Sequence, residues 1–167
     1  QNELLGAVYL VHSWVAVFLG DSPRIKEACQ QVAHWLPKDA KANADALANL
    51  GNAYYFEGKL HLMDDCWQQA LELWLSTGET YTALDLMGSF GRICCHKGEL
   101  QRAEELFKRA LQLMSIEQDR YPRLLGATQR DYSDLLRERN RLEEAHTMMA
   151  NCLPLNEQWG FISGRGL

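Results

Sequence analysis

Apolar residues along this chain recur at helical spacing, and the helical pattern itself recurs in a longer cycle. Short breaks at Gly20-Asp21, Gly58-Lys59, Gly98-Glu99 and Asn140-Arg141 stand 38, 40 and 42 residues apart. Seven positions before each break is a small residue, Ser13, Gly51, Gly91 or Ser133, and four before it comes Ala16, Tyr54, Cys94 or Leu136. Five, nine and twelve positions after the break the second cycle has Met63, Trp67 and Ala70, the third Ala103, Phe107 and Ala110, and the fourth Ala145, Met149 and Cys152. Steps of four and three keep these residues on one stripe of a helix. Each cycle therefore predicts a helix, a tight turn ended by Gly or Asn in the left-handed region, and a second, antiparallel helix.

Four such pairs are expected, at about 4–37, 43–76, 80–116 and 122–153, with a fifth beginning over 154–167. No pair of this size can shelter its own apolar side, so the pairs must stack on one another. The predicted fold is all-α, a right-handed superhelical solenoid with a concave and a convex surface. Local signals refine the picture. Ser22-Pro23 reads as an N-cap with a first-turn proline, and Thr77-Gly78-Glu79 as a break between helices. The carboxylates of Asp64 and Asp65 beside His61 suit the start of a helix. Glu104 and Lys108 form an i,i+4 pair on a solvated face, worth about 0.2–0.5 kcal/mol. The stretch from Gly6 to Leu19 reads as a buried helix, too short to span a bilayer.

Composition narrows the chemistry. Of 167 residues, 47% are hydrophobic and 23% charged, the balance of a chain able to build a core. The formal charge of −5 has the wrong sign for a surface that grips phosphates, so no direct nucleic-acid contact is expected, and no membrane contact either. The five cysteines, an odd number that includes the adjacent pair Cys94-Cys95, fit no disulfide framework and point to a reducing cytoplasm. Cys94, Cys95 and His96 are consecutive, about 100° apart on a helix, and cannot converge on one metal ion. Neither a phosphate loop, a GxSxG elbow nor an HExxH helix is present, so no catalytic residue, metal site or cofactor is assigned to this segment. The sequence starts at Gln1 without a methionine and stops soon after Phe161-Ile162, which suggests a piece of something larger and a homodimer formed through exposed ends.

The run Leu50-Gly51-Asn52-Ala53-Tyr54-Tyr55 followed by Gly58, and Gly98-Glu99-Leu100 followed by Ala103, Phe107, Ala110 and Leu111, resemble a tetratricopeptide repeat. The period is longer than that family's usual 34 or so residues, and Leu75 and Ser115 stand where it has a helix-ending proline. A period near 40 with Gly-Asp and Gly-Glu turns, and the stretch from Cys152-Leu153 through Gln158-Trp159-Gly160 to Phe161-Ile162, are similar to the sensor repeats of MalT-like, LuxR-family ATP-dependent transcriptional regulators. That resemblance implies a nucleotide-binding switch module before the superhelix, a helix-turn-helix after it, and intramolecular contact with both. It also implies a small effector or a regulatory protein or peptide as ligand.

In stacks of this kind the first helix of each pair lines the concave trough. The register set by the turns then assigns Trp14 with Val17 and Phe18 to the trough, followed by Asn52, Tyr55 and Phe56, by Arg92, Cys95 and His96, and by Arg130, Asp134 and Arg137. An aromatic end faces a basic end, which suits a ligand with apolar and anionic parts. The competing reading of Trp14, Val17 and Phe18 is cover by a preceding repeat. Of the positions with which some grooves of this repeat family clamp a C-terminal carboxylate, only Asn52 matches, the companions being Ala48, Ser89 and Asp131. The expected function is a non-catalytic sensor segment of a bacterial regulator, the alternative a general scaffold for partner proteins.

Overall fold

The computed structural model of the chain describes residues 2–116 and 120–158, with side chains of the last stretch described as far as Pro154. Among the described residues there are eight α-helices and no strand: α1 (Asn2–Leu19), α2 (Ser22–Trp35), α3 (Ala40–Phe56), α4 (Leu60–Ser76), α5 (Thr80–His96), α6 (Leu100–Ile116), α7 (Pro122–Glu138) and α8 (Leu142–Gln158). They form two compact units, residues 1–83 and 84–167, with the boundary inside α5. The fourth pair runs on to Gln158, with Pro154 inside α8 rather than after it. Trp159, Gly160, Phe161 and Ile162, and with them most of the expected fifth repeat, lie outside the described residues.

The turns form where the spacing placed them. Gly58 (φ 71°) and Asn140 (φ 57°) both sit in the left-handed region, which glycine enters freely and asparagine more readily than other residues. At each the chain reverses through the same two bonds: Gly58 N donates to the Tyr55 carbonyl and Lys59 N to that of Tyr54, while Asn140 N donates to Arg137 and Arg141 N to Leu136. These bonds satisfy carbonyls that the helix end would otherwise leave bare. At the turn of the first pair the cap differs from expectation. Asp21, not Ser22, caps α2 by accepting from Arg24 N at 3.2 Å, and Ser22 lies inside the helix, its hydroxyl donating to the Ala53 carbonyl. An aspartate one position earlier caps equally well, and Ser-Pro then fills the first turn. Lys59, at the N-cap of α4, makes no side-chain cap bond, and Asp64 and Asp65 stand more than a turn into the helix, so they do not cap it as expected.

In the first unit α1 pairs with α2 and α3 with α4, and α3 packs against both helices of the preceding pair. Its core holds Ile25, Val32, Ala44, Ala53, Met63 and Ala70, each with no exposed surface. In the second unit α7 pairs with α8 and packs against α6, around Phe107, Leu135, Leu136 and Cys152. The small residue seven positions before the turn explains how the helices approach. A Cβ on Gly51 would lie 2.2 Å from Cδ1 of Trp67, and one on Gly91 would lie 2.5 Å from Cε1 of Phe107. Each bulky ring fills the space its facing glycine leaves open. Where the ring position holds Cys29 or Met149, the small position holds Ser13 or Ser133, each a buried serine whose hydroxyl is folded back onto the carbonyl three residues earlier, Leu10 and Arg130.

Two expectations about burial need correction. Helix α1 is not buried all round: Gly6, Ser13 and Ala16 face inward, while Leu4, Val11, Val15 and Phe18 are exposed. At 18 residues it is also long and apolar enough to cross a membrane by length and composition, although its inward face is packed within the first unit. Glu104 is not on a solvated face but only 5% exposed. Its carboxylate meets Lys108 Nζ at 2.8 Å, Arg141 Nη1 at 2.7 Å, Tyr132 Oη at 3.1 Å, and Arg139. The Lys108 ammonium first, with Arg141 and Tyr132 adding to it, outweighs burial and holds the Glu104 carboxyl down at about 2.

Candidate functional site

In the first unit the positions expected to line a trough fall on neighbouring first helices. Trp14 is 49% exposed on α1, and Tyr55 and Phe56, 43% and 47% exposed, stand at the end of α3 with their rings 6.1 Å apart. Asn52, one turn before Phe56, is half-buried. The sequence folds this way because the inward stripe of each helix is taken up by small residues, leaving the large rings on the side that neither the paired helix nor the preceding pair covers. Two hollows also open on this unit. One, of about 350 Å³, lies between α1 and α2 and includes Tyr9, His12 and Arg24. The other, of about 710 Å³, lies where α1, α2 and α3 meet and includes Trp35, Lys38 and Asp45. Trp14, Asn52, Tyr55 and Phe56 line neither, and the three aromatic side chains are about half exposed.

Asp45 at the edge of the larger hollow is buried and accepts from Trp74 Nε1 at 2.8 Å. Burial pushes its carboxyl above the usual range, against the opposing pull of the Trp74 N–H and Lys41. The sequence carried no sign of this contact, since 29 residues separate the partners.

In the second unit the corresponding positions carry charge, and the charge is paired. Arg92 Nε lies 3.4 Å from Asp131 Oδ2, and Arg130 Nη2 lies 2.9 Å from Oδ1 of the same carboxylate. Asp134 pairs with Arg137 at 3.3 Å. His96 is exposed in the last turn of α5. Asp131 is mostly covered, and burial raises its carboxyl above the ordinary value although both arginines oppose the rise. This wall is therefore a lattice of cations and anions, not the plainly basic surface that a count of arginines suggests. Two further arginines of the fourth pair, Arg139 and Arg141, are drawn to Glu104, and Arg141 also pairs with Glu144 at 2.6 Å.

Cys94 is buried and Cys95 half-buried on α5. Burial raises the Cys95 thiol, and Asp131 and Asp134 raise it further. Among the described residues no group of three His, Cys, Asp or Glu could hold a metal ion.

A chain with this architecture finds its counterparts among repeat proteins. The family described as MalT-like TPR region matches residues 6–163. No curated protein matches the chain. Among solved structures, BtubC (BKLC) from P. vanneervenii aligns with a TM-score of 0.82 at 13% identity, over 95% of this chain and 66% of that one. This chain thus spans about two thirds of BtubC. The nearly identical TPR-like repeats of a Podosopora anserina protein described as a kinesin light chain align with a TM-score of 0.71 at 15% identity, over 92% of this chain and 76% of that one. At such identities the likeness shows the fold alone, a TPR-like array of helix pairs.

Proposed function

The chain belongs to the MalT-like TPR family, and from that premise we propose that it is a non-catalytic, protein-binding sensor segment of a bacterial LuxR-family, ATP-dependent transcriptional regulator working in the cytoplasm. TPR-type repeats are in general interaction scaffolds, and the fold here is of that type. One observation supports the finer reading: the aromatic side chains Trp14, Tyr55 and Phe56 are exposed on α1 and α3. Small molecules are held in concavities that cover most of their surface, whereas rigid aromatic residues on an open face are the usual anchors of protein and peptide contacts. A regulatory protein or peptide is thus favoured over a small effector. On this reading half-buried Asn52 bonds the partner's backbone. In the second unit Arg92, His96, Arg130 and Asp134 supply a polar surface whose mixed charge selects a partner carrying both signs.

On this reading the ligand acts by binding one state of the regulator better than the other, since a ligand shifts an equilibrium only by its differential affinity. The chain is then the sensor portion of a longer polypeptide with a nucleotide-binding module on one side and a helix-turn-helix on the other. The test uses the natural gene product. Trp14→Ala with Tyr55→Ala should abolish activation by the regulatory partner while leaving the thermal transition unchanged. Undiminished activation, or equal partner affinity for the ATP-bound and ADP-bound forms, rejects the sensor reading. A general scaffold is the second reading, and partner binding that is lost in the variant without any state dependence would favour it.

A further inference from the structure

The larger hollow of the first unit stands where the first helix pair lacks what the second pair has. Asp45 on α3 and Trp74 on α4 are joined by a hydrogen bond of 2.8 Å. At the same two places of the first pair, 38 residues earlier, are Ala7 and Leu36. Each is smaller than the side chain it corresponds to, and a space of about 710 Å³ opens between α1, α3 and the link from α2 to α3.

The hollow is not on the face by which α3 packs on the pair before it. That face carries Asn49 and the carbonyls of Ala46 and Ala53, which bond to Ser13, Cys29 and Ser22. Ala7 and Leu10 correspond instead to Asp45 and Ala48, which the second pair covers with its own α4: Trp74 bonds to Asp45, and Trp67 Nε1 donates to the Ala48 carbonyl at 3.1 Å. In the first pair the corresponding ground is left to the hollow.

Asp45 gives the hollow its chemistry. It is only 8% exposed, its Oδ1 is taken by Trp74, and its Oδ2 accepts no hydrogen bond among the described residues. The ammonium of Lys41 is held by Glu79 at 2.7 Å instead. A carboxylate so covered and so incompletely matched gains more from an entering cation than a solvated one does. Glu3 and Asp39 line the hollow with two further carboxylates, against Lys38. Asp39 Oδ1 accepts from Ala42 N at 2.9 Å, so the start of α3 is already capped and does not call for an anion. Leu10, Leu36 and Pro37 supply apolar wall and Trp35 an aromatic one, which suits the aliphatic stem of a long basic side chain.

The hollow is also in line with the exposed aromatic residues. Asp45 stands two helical turns, about 10 Å, before Asn52, and Ala7 the same distance before Trp14. A segment lying across Trp14 and Asn52 reaches the hollow within about three extended residues. On the reading that the partner is a protein or peptide, we propose that the hollow receives one of its lysine or arginine side chains, the cationic head on Asp45 Oδ2 and the stem against Leu10 and Leu36.

The probes are N-acetyl-arginine amide, its neutral isostere N-acetyl-citrulline amide, and the peptide acetyl-Arg-Ser-Ser-Phe-amide with its reverse. Binding to the whole chain is followed through the indole N–H resonance of Trp74, the group bonded to Asp45. The arginine compound should shift that resonance with half-saturation at about 1 mM, as expected of so small a ligand, and the citrulline compound should not. One of the two peptides should bind at least about tenfold more tightly than the single residue in the parent, but not in Trp14→Ala. Asp45→Asn keeps an acceptor for Trp74 and should weaken the arginine probe at least about tenfold. Ala7→Arg, on an exposed position of α1, brings a guanidinium of its own and should block the probe with helix content unchanged by circular dichroism. Equal shifts by the arginine and citrulline compounds, undiminished binding by Asp45→Asn, or no gain from either peptide would overturn the proposal. So would butylamine binding as tightly as the peptides, which would make the hollow a site for free amines. Saturation by the arginine probe with activation indifferent to Trp14→Ala and Tyr55→Ala would remove the sensor reading and leave the hollow standing. Loss of activation in that variant with no response to the probe would remove the hollow and leave the sensor reading.

Discussion

Two joints between neighbouring helix pairs, one in each unit, hold by different means. Where α3 meets α1 and α2, the buried polar contacts are neutral: Asn49 to Ser13, the Ser22 hydroxyl to the Ala53 carbonyl, and the Cys29 thiol to the Ala46 carbonyl. Charged pairs such as Lys26 with Glu57 stay at the rim. Where α6 meets the α7–α8 hairpin, the centre is a buried carboxylate, Glu104, gathered in by Lys108, Arg139, Arg141 and Tyr132. A neutral joint rests on shape and responds little to acid or salt, whereas a charged one depends on the protonation of a single group. One repeat pattern therefore carries an inert joint and a titrating one within 167 residues.

The largest break in that contrast should come from Glu104→Gln, which leaves the cations facing a neutral amide and should cost about 3 kcal/mol of unfolding free energy in urea at pH 7. The pH dependence has a fixed sign. The folded carboxyl titrates at about 2, below its ordinary value of 4.5, so its stabilising share is complete above about pH 5 and is lost as the pH falls towards 2. Denaturation curves of the parent and of Glu104→Gln should therefore converge in acid. Next comes Gly51→Ala. A methyl so close to the Trp67 ring costs more than the roughly 1 kcal/mol that alanine gains in helix propensity, for a net loss of about 2 kcal/mol. Shrinking the ring as well, in Gly51→Ala with Trp67→Met, should recover part of it, and a double-mutant cycle by thermal melting measures the coupling. Asn49→Ala should cost about 1 kcal/mol, equally at pH 4 and pH 7, because its bond to Ser13 is neutral. Smallest is the thiol contrast. Burial, with Cys66 beside it, pushes the Cys29 thiol up to about 12, so a disulfide reagent at pH 8 should titrate half-buried Cys95 first and Cys29 only on unfolding.

The repeat was legible because its turns need a rare backbone conformation that few residues supply, so Gly20, Gly58, Gly98 and Asn140 marked the hairpins directly. The inward stripe was legible for the same kind of reason, since Met63, Trp67, Ala103 and Phe107 had to fall on one face to be buried. Glu104 was misplaced because reading along a helix finds only the neighbour four residues away, whereas Tyr132, Arg139 and Arg141 arrive from 28 to 37 residues on. Helix α1 was read as buried because its mean apolarity is high, and an average over a helix cannot tell one covered face from two. At the candidate site, the exposure of Trp14, Tyr55 and Phe56 followed from the register. The capture of Arg92 by Asp131 did not, since it joins α5 to α7 and leaves no local spacing to notice.

The fit of Gly51 to Trp67 and of Gly91 to Phe107 ties together the two arms of each hairpin. A change on either arm alone leaves a collision or a void, so the repeats can drift in size only by paired replacement, glycine with a ring or serine with a smaller side chain. The heritable unit of this array is then the hairpin as a whole, and transplanting an intact hairpin should be tolerated where exchanging single helices is not.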